Sequence, residues 1–155
     1  MSVYCLDTSA FLDGWVRYYP PDVFPALWKK LEAAIIRGDV ISPEEVGDEL
    51  SKKHDGVFQW TKAQSGLFVP MDDPTQDMTS KVLAKFPRLV KALSGRNRAD
   101  PFVIALAKVR KGTVATAERA RGSPERPRIP LVCDFFNIPC VNLLDMIRAM
   151  GWKFQ

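Results

Sequence analysis

Asp7 closes the apolar run Val3-Tyr4-Cys5-Leu6 and is followed by two hydroxyls, Thr8 and Ser9, before the chain turns helical at Ala10-Phe11. A carboxylate at the end of a buried strand sits at the rim where open α/β sheets form their ligand crevice. Left uncompensated, such an acid is costly and needs a partner. Three more acids occupy comparable places: Glu49 in the helical stretch after a second apolar run, Asp100 opening an apolar helix, and Glu118 just past Thr113-Val114-Ala115-Thr116. Carboxylates gathered at one rim repel one another unless a cation binds there, and hard oxygen ligands suit Mg²⁺ or Mn²⁺. That combination points to metal-dependent phosphodiester chemistry.

The elements that must position these acids follow from periodicity. A helix is expected from Ser9 to Trp15, capped by Thr8 or Ser9 and ended by Tyr18-Tyr19-Pro20-Pro21. Phe24, Leu27, Trp28, Leu31, Ala34 and Ile35 recur at three- and four-residue steps, so a second helix follows and closes at Gly38. Asp39-Val40-Ile41-Ser42 reads as a strand. Ser42-Pro43-Glu44-Glu45 then has the form of a helix start, with Ser42 as N-cap and Pro43 at the first position. Leu67-Phe68-Val69 is a third strand, and a helix from about Asp77 to Leu93 is divided or kinked at Pro87.

Ser94 to Ala99 forms a basic loop before the buried helix that starts at Asp100-Pro101 and ends at Gly112. Thr113 to Thr116 is a fourth strand, Arg119 to Arg128 a loop, Ile129 to Phe136 partly helical, Cys140-Val141 a last strand, and Leu143 to Met150 a terminal helix. Alternating strands and helices imply right-handed crossovers and a parallel sheet.

Composition narrows the class. The chain has 155 residues, 46% of them hydrophobic, which suffices for one core without staples. Twenty-two Lys and Arg against 18 Asp and Glu leave a formal charge of +4, a mild preference for a polyanion. Cys5, Cys133 and Cys140 lack CxxC spacing and fit reduced, buried thiols in a cytoplasmic protein. No uncharged apolar run is long enough for a membrane span, and Asp7 and Asp13 interrupt the only apolar stretch near the start. Neither a GxxxxGK[ST] loop nor a GxGxxG fingerprint is present, so nucleoside-triphosphate use is not indicated.

In order, VYCLDTSAF, EEVGDEL, RADPFVIALA and TVATAE resemble the four acidic motifs of the PIN-domain nucleases, including the VapC-type toxins. The likeness covers nearly the whole chain, and the segments DGVFQW and CVNLLDMIRAMGWKF also resemble a small, otherwise uncharacterised PIN branch. It implies a single α/β domain over residues 1–155: an α/β/α sandwich around a central, mainly parallel sheet of four or five short strands. By the same resemblance Asp7, Glu49, Asp100 and Glu118 are the Mg²⁺ or Mn²⁺ ligands and catalytic acids, with Ser9 and Thr116 assisting them. Glu45, one turn earlier on the same helix face, and Asp48 compete with Glu49 for the helix position, and Asp134 is a candidate further carboxylate.

The activity so implied is an endoribonuclease that hydrolyses RNA, the toxin of a toxin–antitoxin pair, with a cognate antitoxin and often a homodimer as partners. The same scaffold also serves DNA cleavage and RNA processing, and a PIN-like module can bind RNA or protein without turnover.

Simpler roles compete for each residue. Asp100 before Pro101 has the form of a helix cap, Glu44 and Glu45 suit the helix dipole, and Glu49 alone would be a solvated charge. Lys108, Arg110, Lys111, Arg119, Arg121, Arg126 and Arg128, with Arg96 and Arg98, flank the proposed acids and either solvate the surface or track phosphates. His54 reads as a surface residue, and Trp15, Trp28, Trp60 and Trp152 as core or interface.

Overall fold

A computed structural model describes residues 2–90 and 99–155. Every side chain of Tyr4–Leu6 (β1) is buried. A strand covered on both faces reads as a continuous apolar run, which is why this segment lacks alternation. β1 pairs in parallel with Val40–Pro43 (β2), Tyr4 opposite Val40 and Cys5 opposite Ile41. On its other side it pairs in parallel with Thr113–Ala115 (β4), Leu6 opposite Ala115. Phe68–Val69 (β3) extends the sheet beyond β2, and Cys140–Val141 (β7) extends it beyond β4. Among the described residues the sheet therefore has five strands, all parallel, in the order β3-β2-β1-β4-β7. The order reverses between β1 and β4, so the crevice of this α/β fold opens beyond their carboxyl ends.

Helices flank the sheet as expected, with corrections at their ends. Thr8–Leu12 (α1) is capped by Asp7, whose carboxylate accepts from Ala10 N, and not by Thr8 or Ser9. The helix then widens into a π-helical segment, Asp13–Tyr18. Pro25–Arg37 (α2) buries Leu27, Trp28, Leu31, Ala34 and Ile35 along one stripe and ends on Gly38, whose φ of +83° is the left-handed cap that glycine adopts without strain. Ser42 does not cap Glu44–Lys53 (α3); its hydroxyl donates to Leu6 O at 2.7 Å, joining the exits of β1 and β2. His54 separates α3 from Asp55–Lys62 (α4). It is half-buried, and its Nδ1 accepts from Val57 N.

Asp73–Lys85 (α5) starts earlier than periodicity indicates because Asp72 caps Thr75 N and Pro74 takes a first-turn position. Pro87 ends it rather than kinking it, opening a 3₁₀ turn at Pro87–Leu89. The expected extension to Leu93 and the basic loop carrying Arg96 and Arg98 lie outside the described residues. Asp100–Val109 (α6) buries Pro101, Val103, Ile104, Ala105, Leu106 and Ala107 between the sheet strands β1, β2 and β4 and helix α5. Each large apolar side chain so buried contributes about 1.5–3 kcal/mol.

Arg119 to Arg128 is not simply a loop: Gly122–Ser123 (β5) and Arg126–Pro127 (β6) form a two-stranded antiparallel hairpin. Ile129–Phe135 (α7) and Leu143–Ala149 (α8) complete the chain. Trp15, Trp28 and Trp60 pack together, with Trp28 edge-on to each of the others at a centroid distance of 4.9 Å, as core aromatics do. All three cysteines are free thiols, Cys5 and Cys133 fully buried and Cys140 half-buried. Among the described residues, no helix is long and apolar enough to cross a membrane.

Candidate active site at the carboxyl ends of β1 and β4

Asp7 and Thr116 each follow the last residue of a paired strand. Asp7 N donates to Ala115 O and Thr116 N donates to Val141 O, so both residues continue the sheet's ladder to its edge. Their side chains then meet: Thr116 Oγ1 donates to Asp7 Oδ2. Ser9 Oγ lies 2.9 Å from both Asp7 carboxylate oxygens and accepts from Ala117 N at 3.0 Å. Glu118 N in turn donates to Thr116 Oγ1 at 3.1 Å, so backbone donors from the β4 exit orient both hydroxyls toward Asp7. Only 2% of Asp7 is exposed. Burial pushes its carboxyl up to about 7, outweighing the stabilising donors Thr116, Ala10 and Ser9, while the charge of Glu118 raises it further.

Asp100 occupies the first turn of α6 and is 8% exposed. It does not cap the helix. That role falls to Ala99, which makes no side-chain bond. Burial, followed by the charges of Asp7, Glu118 and Glu49, pushes the Asp100 carboxyl up to about 9, with Lys53 opposing weakly. Charges from the β1 exit, α3 and the β4 exit thus all act on Asp100 at the start of α6. Of the three acids competing for the α3 position, Glu49 is the one whose charge acts on Asp100. Glu45 is raised chiefly by burial, and its charged neighbours are Asp48 and Glu44.

Two of the acids are tied to the protein. Thr8 Oγ1 donates to Glu49 Oε1, joining α1 to α3. Glu118 accepts from Ile129 N at 3.0 Å and from the Arg128 guanidinium at 3.1 Å, which docks the β5–β6 hairpin beside the rim. Asp134 stands apart. It is exposed, pairs with Arg121 at 2.8 Å, and is absent from the charges that raise Asp7 and Asp100. Thr116, Glu118, Arg119, Arg121, Asp134 and Asn142 line a polar groove running from the rim along β7.

Thr8 and Arg128 were not singled out by sequence reading as partners of these acids. Thr8 carried one usable signal, a second hydroxyl directly after Asp7. Arg128 carried none beyond its place in an arginine-rich segment.

The donor chemistry of this rim, two carboxyls raised chiefly by burial and further by neighbouring acids, fits a hard divalent cation. Among the described residues, however, no three His, Cys, Asp or Glu side chains stand close enough to hold one as they are. Glu49 and Glu118 would have to turn from Thr8 and Arg128 to complete such a set.

Fold and rim together define an α/β domain with an acid-lined crevice at the reversal of its parallel sheet. The chain belongs to the family described as Domain of unknown function (DUF4411), which matches residues 4–154 and so takes in all four acids. No curated protein matches it.

Proposed function

We propose that this chain is a divalent-metal-dependent endoribonuclease acting in the cytoplasm, the toxin of a toxin–antitoxin pair. The observation that carries the reading is that Asp7 and Asp100, from distant parts of the chain, are both buried acids and that the charge of Asp7 acts on Asp100. A carboxylate pair whose ionised forms repel is costly to maintain without a cation, so its presence in a crevice suits metal binding better than scaffolding. The PIN resemblance supplies the substrate class, the antitoxin partner and the homodimer.

Asp7, Asp100, Glu49 and Glu118 would hold Mg²⁺ or Mn²⁺. When bound, such an ion lowers the pKa of a water and offsets charge developing on phosphorus. The protein's own residues prepare the place. Ser9 and Thr116 hold Asp7 in one orientation, while Thr8 holds Glu49 on α3 until it turns toward the rim. Burial holds the Asp100 carboxyl up at about 9, and a bound cation would favour its ionised form. Arg119, on the wall of the adjoining groove, is a cation that could contact a phosphate, whereas Arg121 there is paired with Asp134.

A second reading, a PIN-like module that binds RNA without cleaving it, is favoured by one feature: each carboxylate oxygen of Glu118 already has a protein partner, Arg128 on one and Ile129 N on the other. Incubating the purified chain with labelled single-stranded RNA and Mn²⁺, with and without chelator, separates the two. Chelator-sensitive cleavage that is lost in Asp7→Asn supports the nuclease, and binding with no turnover supports the module. Growth arrest on expression, relieved by Asp7→Asn, tests the toxin role.

A further inference from the structure

We propose that the cavity between the π-helical segment Asp13–Tyr18 and the start of α8 is a nucleotide subsite, with the base against Tyr18 and the phosphate on Arg119. It deepens the ribonuclease reading by placing one nucleotide of the substrate. The cavity, of about 140 Å³, adjoins the acid site directly. Two residues of its wall are Ala10, whose N–H donates to Asp7 Oδ1, and Ala117, whose N–H donates to Ser9 Oγ.

The backbone is built around this space. Tyr19 N donates to Gly14 O at 2.8 Å, an i to i+5 bond of the wide π turn, and such turns concentrate at functional sites. Both Tyr18 and Tyr19, at the end of that turn, line the cavity together with Leu143 and Leu144 of α8. Gly14 permits that approach, since a Cβ there would meet Leu143 Cδ2 at 2.9 Å. The lining is mostly apolar, yet Tyr18 on its wall remains 53% exposed, so its ring is available to a ligand, with Tyr19 tilted against it at a centroid distance of 6.3 Å.

Charge completes the match. Arg119 lines both this cavity and the polar groove that holds Thr116 and Glu118. Arg121 and Arg128 are paired with Asp134 and Glu118, whereas Arg119 forms no ion pair with a described residue. Asp13 on the rim, 3.9 Å from the Arg17 guanidinium, keeps carboxylate oxygens that can accept from a base amino group. A planar ring next to an anion, with a hydrogen-bond donor on the ring, is the chemistry of a nucleotide, and guanidinium and aromatic groups are its usual partners.

The test is equilibrium binding of the full chain, in chelator so that nothing is cleaved, to a labelled single-stranded RNA hexamer and to an abasic hexamer with the same backbone. Wild type is expected to prefer the base-bearing strand about tenfold. Tyr18→Ala should erase that preference without changing abasic binding, and Tyr18→Phe should keep it. Arg119→Gln should weaken both strands and lower the salt slope by about one. Displacement of the RNA by nucleoside monophosphates, lost in Tyr18→Ala, would support the subsite with free nucleotide as a ligand. No displacement, alongside Tyr18-dependent strand binding, would support it as a strand site. Equal affinity of wild type for both hexamers, or unchanged binding in Tyr18→Ala, overturns it. Cleavage alongside a silent Tyr18→Ala would sink the subsite alone, whereas Tyr18-dependent binding without any Asp7-dependent cleavage would sink only the nuclease reading.

Discussion

Thr116, one residue past β4, donates its hydroxyl to the carboxylate of Asp7, one residue past β1. The bond spans the point where the sheet's strand order reverses, and it takes its direction from the Glu118 backbone N–H, which supplies Thr116 Oγ1 with a donor of its own. Parallel pairing of β1 with β4 sets the two residues level, so the link depends on the sheet and reports on its integrity.

Thr116→Val keeps the shape and deletes the hydroxyl. It leaves a buried carboxylate oxygen and the Glu118 N–H without this partner, at a cost of about 1–3 kcal/mol in chemical denaturation. Because the Thr116 bond holds the Asp7 pKa down against burial, its loss should move that pKa further up in a carbon-13 carboxyl titration, and Thr116→Ser should restore it. An unmoved titration would show that the hydroxyl does not act on Asp7.

The raised carboxyls of Asp7 and Asp100 make the metal-free fold pH-sensitive. Their ordinary value is 3.8, and the folded protein raises them to about 7 and about 9. Between these limits the native state binds more protons than the unfolded chain, so stability falls as pH rises from about 4 toward 9. Thermal unfolding should therefore give a higher Tm at pH 5.5 than at pH 8.5. Asp100→Asn, which removes the buried charge, should be more stable than wild type at pH 8.5 by roughly 1–3 kcal/mol and show a flatter profile. Mn²⁺ should raise the wild-type Tm at pH 8.5 more than that of Asp100→Asn. A Tm that climbs with pH would contradict the shared burial of the two acids.

Arg128→Gln should release Glu118 from one of its two partners. Arg128 is half exposed, so the global change is expected to stay below about 1 kcal/mol. The local change should be larger. Amide exchange at Ile129, whose N–H is held by the same carboxylate, should accelerate, together with exchange in the β5–β6 hairpin. Unchanged protection at Ile129 would mean that Arg128 does not hold Glu118 in place.

Much of the scaffold was readable from residue order. Alternating apolar runs and helical stripes marked β1, β2, β3, β4 and β7 and the helices between them other than α4, because burial against a two-sided sheet leaves a continuous apolar signature that needs no partner to be seen. Asp7 stood out for the same reason, as a carboxylate ending such a run. The β5–β6 hairpin stayed hidden because its strands are two residues each and lie in an arginine, proline and glycine context that reads as loop. His54 escaped because its capping role depends on a helix break that polar residues alone do not announce.

What the sequence determined by itself was the kind of each main element and the acids that end or begin them, since both follow from local periodicity and side-chain type. The tertiary structure alone decided where the hydroxyls point: Ser42 to Leu6 O instead of capping α3, Thr8 to Glu49, Ser9 and Thr116 to Asp7. A hydroxyl bonds to whichever acceptor folding brings within reach, and in a parallel sheet those acceptors come from strands and helices far away along the chain.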